Sequence, residues 1–393
     1  MRGLLALVLF LLLGQTHRAI PVTFYDLGTL EGGWSSSASS VNFDGSLIAG
    51  TSSFRIFPWG VGSSSVDGQG AFLWSPATGI ESLAPMEGGP ESFSTAISHN
   101  GSVVVGGNGT AFRWTRSGGM QNLGILPGGT GSYATGVNSD GTVIGGVSFL
   151  SGGGERGFVW TAMGGLQALS TPSSLSPVHL QNWDYSRAYG VSANGAVLVG
   201  MVYSSSDEIQ AVRWTGSGDV QEIITPRGGS ARAANFDGSV VVGASLSSND
   251  VEAGFIWTES GGLQDLGFLA GGNTSLASSV SGDGSLVVGS SNSSEGFKAF
   301  IWDAENGMQD LNIYLAGKGI DLAGWTLRSA EDISLDGKTV VGYGTLNGET
   351  RAFAVSGVPE PASFNLILLG GVVLMAGRRR NRQKPISPEV LTP

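Results

Sequence analysis

The chain contains no cysteine, and it has only three histidines, His17, His99 and His179. Without thiols there is no disulfide framework, no thiolate nucleophile and no Cys-ligated zinc. Histidines this few and this scattered do not build a His-based metal centre or a Ser-His-Asp hydrolase, so neither metal nor cofactor is expected. Charge is also scarce, at 13% of 393 residues, which is too little to clothe many exposed helix faces. Basic residues are rarest in the middle. Between the leader and Arg378 there are 13 of them against 30 acidic residues, a net of about −17. That balance argues against nucleic acid or an anionic membrane surface as a partner.

What is abundant is glycine, 65 residues, together with Ser and Thr. This composition suits many short strands joined by tight turns. The two ends read as addresses. Residues 1–19 have a basic Arg2 and an apolar Gly3–Leu13, the pattern of a secretory signal peptide, and the apolar run is too short to span a bilayer. Near the C-terminus, Pro359-Glu360-Pro361 is followed by a largely apolar Ser363–Gly377 and then by Arg378-Arg379-Arg380. Fifteen helical residues rise about 22 Å against a hydrocarbon core of ~30 Å, and the arginines stop transfer. A C-terminal membrane helix is therefore expected, with residues 381–393 as a cytoplasmic tail.

The three elements in that order resemble the PEP-CTERM sorting signal of Gram-negative bacteria, over residues 358–380. The resemblance implies cleavage near Pro359–Pro361 by an exosortase-type enzyme. It also implies delivery to the cell surface or the exopolysaccharide matrix, after transient anchoring in the inner membrane.

Residues 20–357 repeat. Asp-Gly or Asn-Gly begins at Asp44, Asn100, Asp140, Asn194, Asp237, Asp283 and Asp336, and six positions later the residue is always Gly: Gly50, Gly106, Gly146, Gly200, Gly243, Gly289 and Gly342. A second marker, Ala/Gly-Phe/Val-x-Trp, ends at Trp74, Trp114, Trp160, Trp214, Trp257 and Trp302, and its seventh copy is Ala352-Phe353-Ala354-Val355. A third is apolar-polar-polar-Leu, as in Met120–Leu123. Each unit then holds four strands, A to D, with a type I′ turn expected at each Asp-Gly. Four strands in a repeat of 40–56 residues is the unit of a β-propeller blade. The mature chain opens on a lone strand D at Phe24–Leu30, and the last repeat stops after strand C. The expected fold is therefore all-β: a seven-bladed β-propeller closed by its N-terminal strand. The Ala-Phe pairs at Ala71, Ala111, Ala299 and Ala352 make the repeats similar to bacterial extracellular HAF repeats, which strengthens the expectation of an exported location and transfers no catalytic residue.

Propeller topology sorts the loops. The long segments Thr51–Gly70, Thr171–Arg187 and Asn312–Ser329 all fall on the B–C and D–A face, where binding residues concentrate on a rigid scaffold. Trp34, Trp59, Trp183 and Trp325 each sit in a B–C or D–A segment, and Tyr133 and Tyr185 join them. They are the candidate ligand-binding residues, since aromatic rings stack on sugars or anchor a protein. The six strand C tryptophans are expected in the core between blades. The leading functional expectation is a non-catalytic surface or matrix protein that binds an extracellular polysaccharide or a surface protein. The alternatives are a purely structural coat module and an exported glycan-active enzyme. The enzyme would need two acids on one face, drawn from Glu31, Glu87, Glu91, Asp184 and Asp321.

Overall fold

The computed structural model describes residues 21–56, 66–83, 91–170, 185–203, 209–216, 219–223, 225–246 and 251–359. Its strands form seven four-stranded antiparallel sheets. Six are consecutive in sequence, and the seventh has the order Thr23–Gly28, Glu349–Ser356, Thr339–Leu346, Trp325–Ile333. The first strand of the chain thus completes the last sheet, pairing Thr23 with Ser356 and Phe24 with Val355. The inner strand A of each blade packs against strand A of the next, and blade 7 returns to blade 1. The expected closed propeller is the observed fold. The segments expected to be a signal peptide, a sorting segment beyond Pro359 and a C-terminal tail lie outside the described residues.

One irregularity recurs in every blade. In blade 1, Ala38 pairs with Gly50 and Ser40 with Ala49, so Ser39 is an extra residue in strand A. The same β-bulge leaves Thr95, Thr135, Tyr189, Arg232, Ser278 and Glu331 unpaired in blades 2 to 7. The strand B residue beside each bulge is the invariant glycine of the first marker. A Cβ at any of the seven would lie well inside 3.0 Å of a strand A backbone oxygen. On its other side that glycine faces the strand C Phe: Gly50 pairs with Phe72, Gly243 with Phe255 and Gly342 with Phe353. These phenylalanines are completely buried. In six blades the strand C ring therefore faces the space that the glycine leaves empty, and in blade 4 Val212 stands in its place.

The small residue before Phe has its own cause. The N–H groups of Ala71, Ala111, Gly157, Gly254 and Ala352 donate to the hydroxyls of Ser92, Ser132, Ser186, Ser275 and Ser36 at 2.8–3.2 Å. Each serine belongs to the next blade, so these bonds staple the ring together, including across the closure from blade 7 to blade 1. Asp332 reinforces that junction. It accepts from Ser279 Oγ of blade 6 at 2.6 Å, Ser40 Oγ at 2.9 Å and Val41 N–H at 3.0 Å of blade 1, and Ile333 N–H at 2.9 Å. Burial pushes its pKa up, and the hydroxyl and amide donors oppose that push.

Two local expectations change. The Asp-Gly turns are not type I′, because only the glycine takes positive φ, 72–79°. In blade 1, Asn42 Oδ1 accepts from Leu47 N–H at 2.9 Å and Asp44 Oδ1 from Ser46 N–H at 3.0 Å. Side-chain acceptors hold a wider loop, and one left-handed residue suffices. The strand C tryptophans also divide. Trp74, Trp214, Trp257 and Trp302 are buried, while Trp114 and Trp160 are half-buried. They stand nearer the C–D end than the phenylalanines, where an arginine from the preceding blade can lie over the ring, as Arg113 does on Trp160 and Arg213 on Trp257.

Gly243→Ala is expected to cost about 3 kcal/mol by overpacking against Ser230. Gly317→Ala, where no atom lies within 4 Å of the new Cβ, should change stability by no more than about 0.5 kcal/mol. Chemical denaturation of the two variants measures the difference.

Candidate functional site

The bulges direct one residue per blade toward the axis. Ser39, Thr95, Thr135, Tyr189, Arg232, Ser278 and Glu331 line a central cavity of about 170 Å³. All seven are half-buried. Three of them are committed to structure. Ser39 Oγ donates to Ala49 O at 3.2 Å, Thr95 Oγ1 to Ala134 O at 2.8 Å and Thr135 Oγ1 to Ala188 O at 2.9 Å. The chemically distinctive members are Tyr189, Arg232 and Glu331, from blades 4, 5 and 7.

Arg232 lies over the Tyr189 ring, 4.4 Å from its centroid. Tyr189 is steadied in turn by Arg187, whose Nη1 lies 3.5 Å from the phenol oxygen. Arg187 is held by Glu155 through two contacts, Nε to Oε2 and Nη2 to Oε1, the second at 2.8 Å. Such a forked pair fixes the guanidinium plane. Burial pushes the Glu331 carboxyl pKa up; a hydrogen bond from Ser329 and the charge of Arg232 act the other way. The axis of an acidic protein thus carries a guanidinium, a carboxyl group and an aromatic face.

None of the described sequence candidates lines this cavity. Trp34 is 48% exposed at the start of strand A in blade 1. Tyr133, two positions before the Thr135 bulge, sits between Phe93 and Phe149 at centroid distances of 6.0 and 5.7 Å, and burial raises its pKa. Tyr185 donates to Gly153 O at 2.8 Å and packs on Tyr203. Trp325 packs edge-on against Phe24 at 5.1 Å, inside the cluster that seals blade 7. Its ring therefore serves closure. Trp59 and Trp183 lie outside the described residues, as do Glu360, Pro361 and Arg378–Arg380, while Pro359 is exposed at the end of the described chain. Much of the first long segment is a lengthened hairpin, with Ile56 paired to Val66, and the third contains a helix, Leu311–Gly317. Of the acids considered for catalysis, Glu31, Glu91 and Asp321 are exposed outside the cavity, and Glu87 and Asp184 are outside the described residues. Among the described residues no three His, Asp or Glu side chains gather to hold a metal, and no helix is long and apolar enough to cross a membrane.

Tyr189, Arg232 and Glu331 escape a motif search because they vary from blade to blade. A positional signal was present nonetheless. All seven bulged residues stand five positions before the Asp or Asn of the turn, and this column alternates between small hydroxyls and large functional groups within an otherwise uniform repeat.

The fold and its axial cavity place the chain in a structural class, the seven-bladed β-propellers. No family model matches it, and neither does any curated protein. Among solved structures it is similar to the β-propeller domain of Cps50 (Swd1) from Myceliophteria thermophila, with 11% identity, a TM-score of 0.50, and coverage of 86% of this chain and 100% of that one. TolB from Acinetobacter baumannii is 13% identical, with a TM-score of 0.45 over 78% of this chain and 79% of its own. A putative TolB from Agrobacterium tumefaciens is also 13% identical, with a TM-score of 0.44 over 72% and 94%. At these identities the likeness speaks to the fold alone.

His99 lines the turn-side end of the cavity, with Nδ1 3.3 Å from Ser139 Oγ. Burial lowers its pKa from 6.5 to about 4. Between those values the unfolded chain binds the extra proton, so the stability gained by keeping His99 neutral is present above 6.5 and lost as pH falls toward 4. Thermal melts from about pH 7 down to about pH 4.5 should show His99→Gln losing less Tm than the wild type.

Proposed function

We propose that this chain is an exported, surface- or matrix-directed propeller that works without catalysis. It binds a glycan or a protein through the face bearing the B–C and D–A loops. One observation carries the choice of face. Of the eight large apolar side chains exposed among the described residues, Trp34, Ile125, Phe149, Phe297 and Ile313 lie there, and only Phe43, Met163 and Phe236 lie on the turn side. The larger share of exposed apolar side chains on this face supports an interaction site there.

The chain ends support the same orientation. Thr23 and Ser356 are paired at the turn-side end of blade 7, and Val358 N–H donates to Lys338 O of the adjacent turn at 3.0 Å. A tether continuing from Pro359 leaves from the face opposite the loops and presents them outward. The Pro359-Glu360-Pro361 motif, the apolar segment and Arg378–Arg380 support processing by an exosortase-type enzyme after transient membrane anchoring. The HAF-like repeats support an extracellular destination.

The test is a glycan array and a surface-extract pull-down with the wild type and a triple variant, Trp34→Ala, Trp59→Ala, Trp183→Ala. Trp325 is left intact because it packs against Phe24. Binding should fall by on the order of tenfold or more in a triple variant with wild-type Tm. Undiminished binding by that variant, or no binding partner of the wild type in either assay, would overturn the assignment of the face.

A further inference from the structure

Beyond the loop face, we propose that the axial cavity is a separate binding site for a small zwitterion of the α-amino-acid kind, with its carboxylate on Arg232 and its ammonium on Glu331. The cavity is bounded by inner strands from all seven blades. Its volume of about 170 Å³ equals about six waters at ~30 Å³ each. A molecule with a similar number of heavy atoms fits, and an oligosaccharide does not.

The chemistry of the wall selects the ligand. Arg232 Nε is buried and meets no acceptor. Among the described residues no carboxylate lies within ion-pair distance of its guanidinium. A buried donor left unmade carries the full cost of its desolvation, and the Arg232 side chain lines the cavity. The other cation of this arc, Arg187, is already taken by Glu155. Tyr189 covers one face of the Arg232 guanidinium, and a guanidinium pairs with a planar carboxylate along its edge.

Glu331 faces the same space from blade 7, separated from Arg232 by the single Ser278 of blade 6. The nearest hydroxyls of the neighbouring blades, Ser40 and Ser279, are engaged by Asp332. Arg232 and Glu331 thus present a guanidinium and a carboxyl group to one small volume without closing on each other. A lone anion entering would meet Glu331 and the field of a chain of net charge −11, and a lone cation would meet Arg232. A zwitterion satisfies both groups and carries no net charge against the field.

The experiment is ligand-observed NMR followed by calorimetry on the full chain. The probes are the small L-amino acids glycine, alanine, serine, threonine and valine, with propionate and ethylammonium as single-charge controls. At least one amino acid should bind, and both controls should bind weaker by on the order of tenfold or more. Arg232→Gln and Glu331→Gln should each weaken binding by a similar factor, while Arg116→Gln on the surface should leave it unchanged. If the glutamine variants fail to fold, the wild-type comparison of alanine with propionate and ethylammonium still decides. Absence of binding by all five amino acids overturns the proposal. So does propionate binding as tightly as alanine, or a folded Arg232→Gln variant that binds as the wild type does.

Discussion

Strand A holds one residue too many for strand B, and seven glycines make room for it. Glycine inside a strand costs about 0.5–1 kcal/mol relative to alanine, yet it stands opposite the bulge in all seven blades. The reason is that any Cβ would collide with strand A backbone, and an overpacked core costs about 1–3 kcal/mol. The same vacancy faces the strand C phenyl ring in six blades and Val212 in blade 4, so the bulge, the glycine and the strand C side chain are three parts of one packing unit. The bulge also turns an otherwise sheet-bound residue toward the axis. The feature that packs the blade thereby creates the lining of the cavity.

Closure makes that lining rigid. With no cysteine in the chain, the ring is held by hydrogen bonds and buried apolar clusters between blades. Five serine staples run from the N–H before a strand C Phe to the next blade, and one of them, Ala352 to Ser36 at 3.0 Å, crosses the point where the chain ends meet. Asp332 gathers donors from blades 6 and 1 at that same point. The first strand covers what would otherwise be an open edge on strand C of blade 7. A scaffold sealed in this way lets Tyr189, Arg232 and Glu331 hold their positions although each comes from a different sheet.

The periodic parts of this architecture were legible in the sequence, because each marker residue does a job that only its type can do. Gly50 and its six equivalents, the Phe of the second marker, and the lone strand D at Phe24 led directly to seven closed blades. The turn type was misjudged because Asn42 and Asp44 supply side-chain acceptors that a dihedral rule does not count. Trp325 looked like a loop aromatic, but strand A of blade 7 begins at that residue and its ring is claimed by Phe24. The axial residues were hidden for a different reason. A bulge is invisible to period-two reading, and the column it exposes is variable, so a search for repeated motifs passes over Tyr189, Arg232 and Glu331.

The account stands on the bulged residues facing the axis while their neighbours face the core. The absence of cysteine makes this directly measurable with single introduced thiols. Ser278→Cys should react with a small methanethiosulfonate reagent in the folded protein, as read by intact mass, whereas Ala277→Cys, at a completely buried position, should stay unmodified until the chain is unfolded. Equal reactivity at the two positions, or modification of Ala277→Cys alone, would contradict the bulged strand and the lined channel with it.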